Sequence, residues 1–313
     1  MKSQPTIIFM GTPMIAATSL RALHASGFNV ALVVTQPDRP SGRGRHCTPP
    51  AVKITAMELN YPFRQPQKVR DPVFIEELRS FSPDFLVVVA FGQILSQPLL
   101  DLPKRGPINV HGSLLPKFRG PAPIQWAIIR GERETGVTTM LMDRGVDTGD
   151  ILLMERTPIA PTDTFETLHD RLAEMGAHLL VRTLNKLWTD ELFPRAQSHD
   201  DATYAPLLQK NDGRIDWTLP AGHIDCLVRA LNPWPGAFCF WNEQRLKLFK
   251  VAVIASSTAA PPGTVVPGFP DELRIATGHG QLSILEIQGA SGKRLNVKDF
   301  LHGHHLSPGM LLN

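Results

Sequence analysis

The sequence predicts an α/β protein in which a doubly wound, mostly parallel sheet precedes a small β-barrel. Three observations lead there. Up to residue 188, short and continuously apolar runs alternate with amphipathic stretches of helical period, the pattern of strands covered on both faces of a parallel sheet. The segment "TDELFPRAQSHDDATYAP", 189–206, is polar, carries scattered prolines and keeps neither period, which reads as an interdomain linker. From residue 207 the grammar changes to short apolar runs punctuated by turn residues, as in small barrels. The expected organisation is therefore an α/β domain at 1–188, a linker at 189–206 and a barrel at 207–313.

In order along the chain, "TIIFM" reads as the first strand and Gly11-Thr12-Pro13 as a tight turn. "MIAATSLRALHASG" is a helix that Pro13 opens and Gly27 closes. "NVALVVTQ" is the second strand. Helices follow at about 51–60 and 71–80, then the apolar strand "DFLVVVA" at 84–90 and the strand "GPINVHG". A helix at about 121–131, strands near 135–142 and 150–158, and a long amphipathic helix at about 163–187 complete the first domain. In the second, a helix near 219–231 precedes short strands at about 237–242, 245–253, 262–267, 273–277 and 281–288.

With 313 residues, 42% of them hydrophobic and 19% charged, the chain can bury two cores. Its net charge of +3 permits an anionic partner without naming one. The barrel segment has ten Lys/Arg against eight Asp/Glu, a weak basic bias. Cys47, Cys226 and Cys239 are scattered with no C-x-x-C spacing, so neither a disulfide framework nor a zinc site is indicated. "HGHH" at 302–305 lacks partner ligands at useful spacing and reads as a polar tail. The N-terminus has too short an apolar run for a signal peptide, and no stretch is long enough to cross a bilayer. The expectation is a cytoplasmic monomer with no membrane association and no metal.

A nucleotide-binding reading fails early. The turn after the first strand has neither G-x-G-x-x-G nor G-x-x-x-x-G-K-[ST]. The chemistry concentrates instead in "INVHGSLLPKFRG", 108–120. Alternation along a strand places Ile108 and Val110 on one face and Asn109 and His111 on the other. With the apolar pair inward, an amide and an imidazole project together at the strand's carboxyl end, the edge where open α/β sheets bind ligands. Both can donate to an oxyanion; an isolated Asn-x-His also commonly does no more than satisfy backbone groups. Further on, "MDRGVDTGDIL", 142–152, sets Asp143, Asp147 and Asp150 around two glycines that let the backbone turn tightly. One carboxylate there could orient His111 or handle an amine's proton, while Asp143 and Asp150 suit Asx turns. The chain has no G-x-S-x-G elbow and no H-E-x-x-H. Acyl transfer directly to an amine needs neither, because the acceptor brings the nucleophile.

These residues carry a resemblance. Asn109, His111 and Asp147, with the run from His111 to Leu152 between them, are similar to the formyltransferases that use 10-formyltetrahydrofolate. The resemblance implies that Asn109 and His111 stabilise a tetrahedral oxyanion and that Asp147 assists proton movement. It implies a folate pocket to which Ser113, Leu114, Leu115 and Pro116 contribute, together with Phe91 and Gly92. The leucines would then wall an apolar slot for a flat co-substrate. No metal is implied.

The acceptor is less directly written. The segment "TQPDRPSGRGRHCTPPAVK", 35–53, is long for a β-to-α connection and holds Arg39, Arg43, Arg45 and Lys53. Such a loop can fold over phosphates, and equally can be a solvated surface loop. Together with "RIDW" at 214–217 and "NPWPGAF" at 232–238, it resembles the family members whose acceptor is initiator methionyl-tRNA. That resemblance implies a Rossmann-like catalytic domain, an OB-like barrel that binds tRNA, and tRNA contacts from Arg39, Arg43 and Arg45. Two alternatives stay open on the residues alone: formylation of a small amine such as an amino sugar nucleotide, and a non-catalytic RNA-binding module. Trp126 reads as helix core and Trp234 as corner packing between prolines.

Overall fold

The computed structural model describes residues 4–41, 46–256, 258–290 and 292–313. In chain order its elements are β1 Thr6–Gly11, α1 Met14–Ala25, β2 Asn29–Val34, β3 Arg39–Ser41, β4 His46–Thr48, α2 Ala51–Glu58, β5 Phe63–Arg64, α3 Pro72–Ser80, β6 Phe85–Val89, α4 Gln97–Leu100, β7 Pro107–His111, α5 Pro123–Ile129, β8 Glu134–Leu141, β9 Ile151–Pro158 and α6 Phe165–Trp188. After a 3-10 turn at Lys210–Gly213 come α7 Ala221–Leu231, β10 Ala237–Trp241, β11 Gln244–Ile254, β12 Val265–Val266, β13 Leu273–Ala276, β14 Gln281–Gln288, β15 Leu295–Asn296 and α8 Val297–Gly303. They group into two compact units. One runs to Gly120 and takes in Glu134–Pro158 and His169–Tyr204; the other consists of Pro121–Arg133, Ile159–Leu168 and Ala205–Asn313.

The first unit is a seven-stranded sheet in the order β5-β2-β1-β6-β7-β8-β9. Five strands are parallel, and β8 and β9 add an antiparallel edge. The chain moves outward from β1 to β2 and β5 before crossing to β6 on β1's other side, so the strand order reverses there. At such a reversal an open sheet leaves a crevice beyond its strand ends. Alternate side chains feed two cores. Ile7, Phe9, Val33, Phe85, Val87 and Ile108 pack with Leu20 and Leu23 of α1 and Leu180 and Leu184 of α6. Ile8, Met10, Leu32, Leu86 and Val88 pack on the other face with Phe74, Ile75 and Leu78 of α3. Two buried faces explain why these strands are apolar throughout instead of alternating. Helix starts follow local chemistry: Asp71 Oδ1 accepts from Val73 N at 2.9 Å with Pro72 in the first turn of α3.

The second unit is an antiparallel sheet in the order β10-β11-β14-β13-β12, with β15 on β14. Its edges do not stay open. Val265 N donates to Met310 O at 2.8 Å and Leu312 N to Gly263 O at 2.9 Å, while Phe240 and Asn313 exchange both backbone bonds at 2.7 and 2.9 Å. Residues 309–313 therefore bond to both edge strands and close the ring, which removes the unpaired edges a short sheet would expose. The interior holds Trp217, Val228, Cys239, Leu248, Ile275, Ile284, Phe300 and Leu312.

Several elements differ from expectation. The long connection 35–53 contains a short hairpin, β3 paired antiparallel with β4, and Arg43 and Arg45 lie outside the described residues. The elements β5, α4, β15 and α8 are too short for a periodicity window to register. The "HGHH" stretch is not a tail: His302 lies in the last turn of α8 and His304 stacks on Phe300 with ring centroids 4.0 Å apart. Trp234 is 54% exposed, so it packs no corner. Trp126 is half-buried and spends its indole N–H on Pro206 O at 2.8 Å. The three cysteines are free thiols.

The barrel closure makes a direct expectation. Leu312 is 2% exposed in the barrel core, so Leu312→Ala should destabilise the second unit by about 2–5 kcal/mol in chemical denaturation. A change below a few tenths of that would mean the C-terminal residues do not complete the core.

Candidate active site

Strand β7 delivers two polar side chains. Ile108 and Val110 belong to the core beneath α6, which turns Asn109 and His111 to the opposite face. The imidazole of His111 is buried, 6% exposed, and both ring nitrogens have neighbours. Nε2 donates to Phe118 O at 2.9 Å; a carbonyl only accepts, so this nitrogen carries hydrogen. Nδ1 lies 3.6 Å from Asp147 Oδ2. Phe118 is brought to that position by the turn through 112–118, where Ser113 Oγ donates to Lys117 O at 2.6 Å and Lys117 N to Leu114 O at 3.1 Å.

Asp147 arrives from the connection between β8 and β9. That loop starts beside the amino end of β7, with Met142 N donating to Pro107 O at 2.8 Å, and returns to bring the carboxylate over the strand. Gly120 N donates to Asp147 Oδ2 at 2.8 Å and Asn109 Nδ2 to Oδ1 at 3.5 Å. The backbone of Asp147 is left-handed, φ +54°, a conformation that Asp tolerates better than most residues and that recurs where function fixes geometry. Asp143 closes an Asx turn, accepting from Gly145 N at 3.0 Å and Thr148 Oγ1 at 2.6 Å. Asp150 gives its carbonyl to Leu141 N at 2.9 Å, and among the described residues its carboxylate closes no Asx turn, contrary to expectation.

The ring geometry refines the expectation that a neutral His111 donates to an oxyanion. With Nε2–H given to Phe118, a neutral ring presents a lone pair at Nδ1; only the charged ring donates there. Asn109 Nδ2 is thus the donor available in both protonation states.

The other residues singled out from the sequence are placed as follows. Phe91 is 2% exposed within the core that holds Ile8 and Leu86; its carbonyl accepts from Thr12 Oγ1 at 2.9 Å and Gln36 Nε2 at 3.2 Å. Gly92 follows with φ +83°. Ser113 is fully buried, and Leu115 packs with Met140 and Ile151. Leu114 and Pro116 are half-buried. Ile94, after β6, is 91% exposed, and Val146, next to Asp147 in the chain, is 64% exposed. Arg39 is exposed and donates to Gln36 Oε1 at 3.0 Å. Lys53 is paired with Asp38 at 2.7 Å; Lys53 and then Gln65 hold the Asp38 carboxyl below its ordinary range.

Two residues at the site were not visible in the sequence. Gln197, in the segment read as a linker, donates to Asp147 O at 2.9 Å and Gly149 O at 2.6 Å. Arg119, 2% exposed, donates to Gln197 Oε1 from Nη2 at 2.7 Å and from Nε at 3.1 Å. The usable signal was an amide in a polar stretch, which composition cannot tell from solvated surface. Among the described residues no group of three or more His, Cys, Asp or Glu could hold a metal ion, and no helix is long and apolar enough to cross a membrane.

Asn109, His111 and Asp147 thus meet in one polar cluster, with the motif's hydroxyl committed to Lys117 O. The formyl transferase family model matches residues 5–184 and the formyl transferase C-terminal domain model residues 207–305. The chain belongs to the formyl transferase family. A methionyl-tRNA formyltransferase of Citrifermentans bemidjiense is 50% identical over 306 residues, 98% of this chain and 96% of the relative. One from Desulfotalea psychrophila is 51% identical over 297 residues, 95% of this chain and 92% of the relative. Solved structures extend the likeness of fold. An N-formyltransferase from Helicobacter canadensis, in complex with folinic acid and dTDP-3-aminofucose, matches with TM-score 0.66 at 18% identity, covering 94% of this chain and 100% of its own. HypX from Aquifex aeolicus, in complex with tetrahydrofolic acid, matches with TM-score 0.61 at 17% identity, covering 96% of this chain and 47% of its own.

The loop that carries Asp147 is sterically tight. A Cβ on Gly149 would stand 1.8 Å from Leu141 O, so Gly149→Ala must move backbone. The variant should lose about 2 kcal/mol or more of stability, read as a lower midpoint in chemical denaturation; an unchanged midpoint would contradict this loop path.

Proposed function

We propose that this enzyme transfers a formyl group from 10-formyltetrahydrofolate to the α-amino group of methionine on initiator tRNA. The observation that carries the reading is the cluster at β7: Asn109 as a fixed amide donor, and His111 with only Nδ1 open, facing Asp147 at 3.6 Å. Relatives at about half identity over nearly the whole chain, named for that reaction, support the choice of acceptor. Exposed Val146, next to Asp147 in the chain, offers apolar surface beside the polar cluster, which suits a ligand with an apolar ring.

In the mechanism this chain's residues act as follows. Asn109 Nδ2 donates to the formyl oxygen as it becomes an oxyanion, in a site partly shielded from water where such a donor contributes about 3–4 kcal/mol. The attacking amine is neutral in useful fraction at physiological pH, since a free α-amino group titrates near 7.7–8.0. As the amine bonds to carbon it must lose a proton, and Nδ1 of the neutral His111 is the lone pair positioned to take it. Asp147 then balances the imidazolium charge, and the charged ring can return a proton to the departing folate nitrogen. Gly120 N holds the carboxylate in place through both states. Asp147 is thus a partner to His111 and not a second nucleophile.

The acceptor is held elsewhere. Arg39, Arg43 and Arg45 contact phosphates of the tRNA acceptor end, and the barrel at 207–313 adds affinity. The enzyme works as a monomer in the cytoplasm and uses no metal.

Incubation with formylated folate and aminoacylated initiator tRNA should give N-formylmethionyl-tRNA; transfer only to a small amine would replace the acceptor assignment. His111→Ala and Asn109→Ala should each lower kcat by roughly 10²-fold or more with tRNA affinity nearly unchanged. Equal loss of rate and binding would count against their catalytic roles. Replacing Arg39, Arg43 and Arg45 together by Gln should weaken tRNA binding and flatten its salt dependence by a slope of about 2–3, leaving the KM for folate within about twofold. A defect confined to folate would refute the phosphate contacts.

A further inference from the structure

Asp147 needs a backbone held in a left-handed turn, and two hydrogen bonds to that turn come from one side chain. Gln197 is 7% exposed. Its Nε2 divides between Asp147 O at 2.9 Å and Gly149 O at 2.6 Å, gripping the loop on both sides of Thr148. Its Oε1 is fixed by the guanidinium of Arg119 through Nη2 and Nε. The third guanidinium nitrogen, Nη1, lies 3.3 Å from His199 Nδ1, which must accept because guanidinium only donates. Among the described residues Arg119 pairs with no carboxylate, although it is 2% exposed. A buried cation without an anion is costly, and its fork geometry is spent instead on the oxygen of an amide.

The same segments converge from the backbone. Arg119 N donates to Thr203 O at 2.8 Å and Phe118 N to Thr203 Oγ1 at 2.9 Å. Ile151 and Arg195 exchange both backbone bonds, at 2.8 and 2.9 Å. Residues 195–203 therefore tie the turn bearing Phe118 and Gly120, which position His111 and the Asp147 carboxylate, to the loop bearing Asp147.

We propose that Gln197, oriented by Arg119, is a positioning residue that sets the distance between Asp147 and His111. The proposal rests on the formyl-transfer reading for its effect on rate. An amide is required because one end must accept from a cation while the other donates to two carbonyls. A glutamate at 197 would pair with Arg119 at least as strongly but would oppose oxygen to the carbonyls of Asp147 and Gly149.

Gln197→Glu separates positioning from packing. It keeps volume and strengthens the bond to Arg119, so a purely structural role predicts wild-type activity. The positioning role predicts a kcat lower by roughly 10²-fold, with KM for folate and tRNA each within about threefold. Amide hydrogen exchange across 142–150 should speed by about tenfold or more while exchange in β1 and β6 is unchanged. A folded variant with kcat within about threefold of wild type, or with unaltered exchange in that loop, overturns the proposal. Should Gln197→Glu not fold, Arg119→Lys decides: losing the fork should lower kcat with both KM values kept, and a loss confined to KM overturns it. If wild type itself formylates nothing, the functional reading fails, while loop exchange still tests the clamp.

Discussion

A histidine with one nitrogen already committed to a carbonyl has only one nitrogen left to work with. Nε2 of His111 is bound to Phe118 O, and that single bond at 2.9 Å determines the rest of the site. It fixes the ring plane, assigns a hydrogen to Nε2, and leaves Nδ1 as the nitrogen that faces Asp147. The nearest charged group to Nδ1 is Asp147 Oδ2 at 3.6 Å. In the proposed mechanism this arrangement receives the proton that the attacking amine sheds. On that reading no serine or cysteine nucleophile is required, because what has to be managed is the acceptor's proton and the charge on one oxygen.

The fold supplies this at long range. His111 ends the fifth parallel strand, Phe118 and Gly120 lie in the turn that follows it, and Asp147 comes from a loop within the antiparallel edge. The antiparallel addition matters. Because β8 runs opposite to β7, its exit lies beside Pro107, and the loop has to travel back over the strand before entering β9. That path gives the carboxylate its approach to Asn109 and His111, and it makes the loop depend on partners other than its own strands. The left-handed turn at Asp147 is one consequence; the bonds to Gln197 and Gly120 N are another.

Much of this was legible in the amino-acid order. Continuous apolar runs announced the parallel strands because both faces are buried, and alternation within 108–111 correctly separated Ile108 and Val110 from Asn109 and His111. The Asx turn expected of Asp143 is present, whereas the one expected of Asp150 is not found among the described residues. Other features leave no periodic trace. The hairpin of β3 and β4, and the two-residue strands, are shorter than the window that detects them. The ring closure by 309–313 rests on backbone bonds that no side-chain pattern encodes. Gln197 and Arg119 were hidden for a related reason: a polar residue in an irregular segment looks solvated, and only the tertiary structure shows that it is buried and fully bonded.

Charge was the least legible property, because a sequence counts cations and a partner meets only those left over. Lys53 is spent on Asp38 at 2.7 Å, so its positive charge is cancelled within the same basic segment. Arg119 is sealed inside and serves an amide. Arg39, by contrast, gives one hydrogen bond to a neutral glutamine and keeps its full charge at the surface. The division has a physical rationale. A long-range partner such as a polyanion is drawn by exposed charge that salt can screen, whereas the proposed transfer step would depend on buried groups whose fields are barely screened. Recognition and chemistry can therefore respond separately to ionic strength.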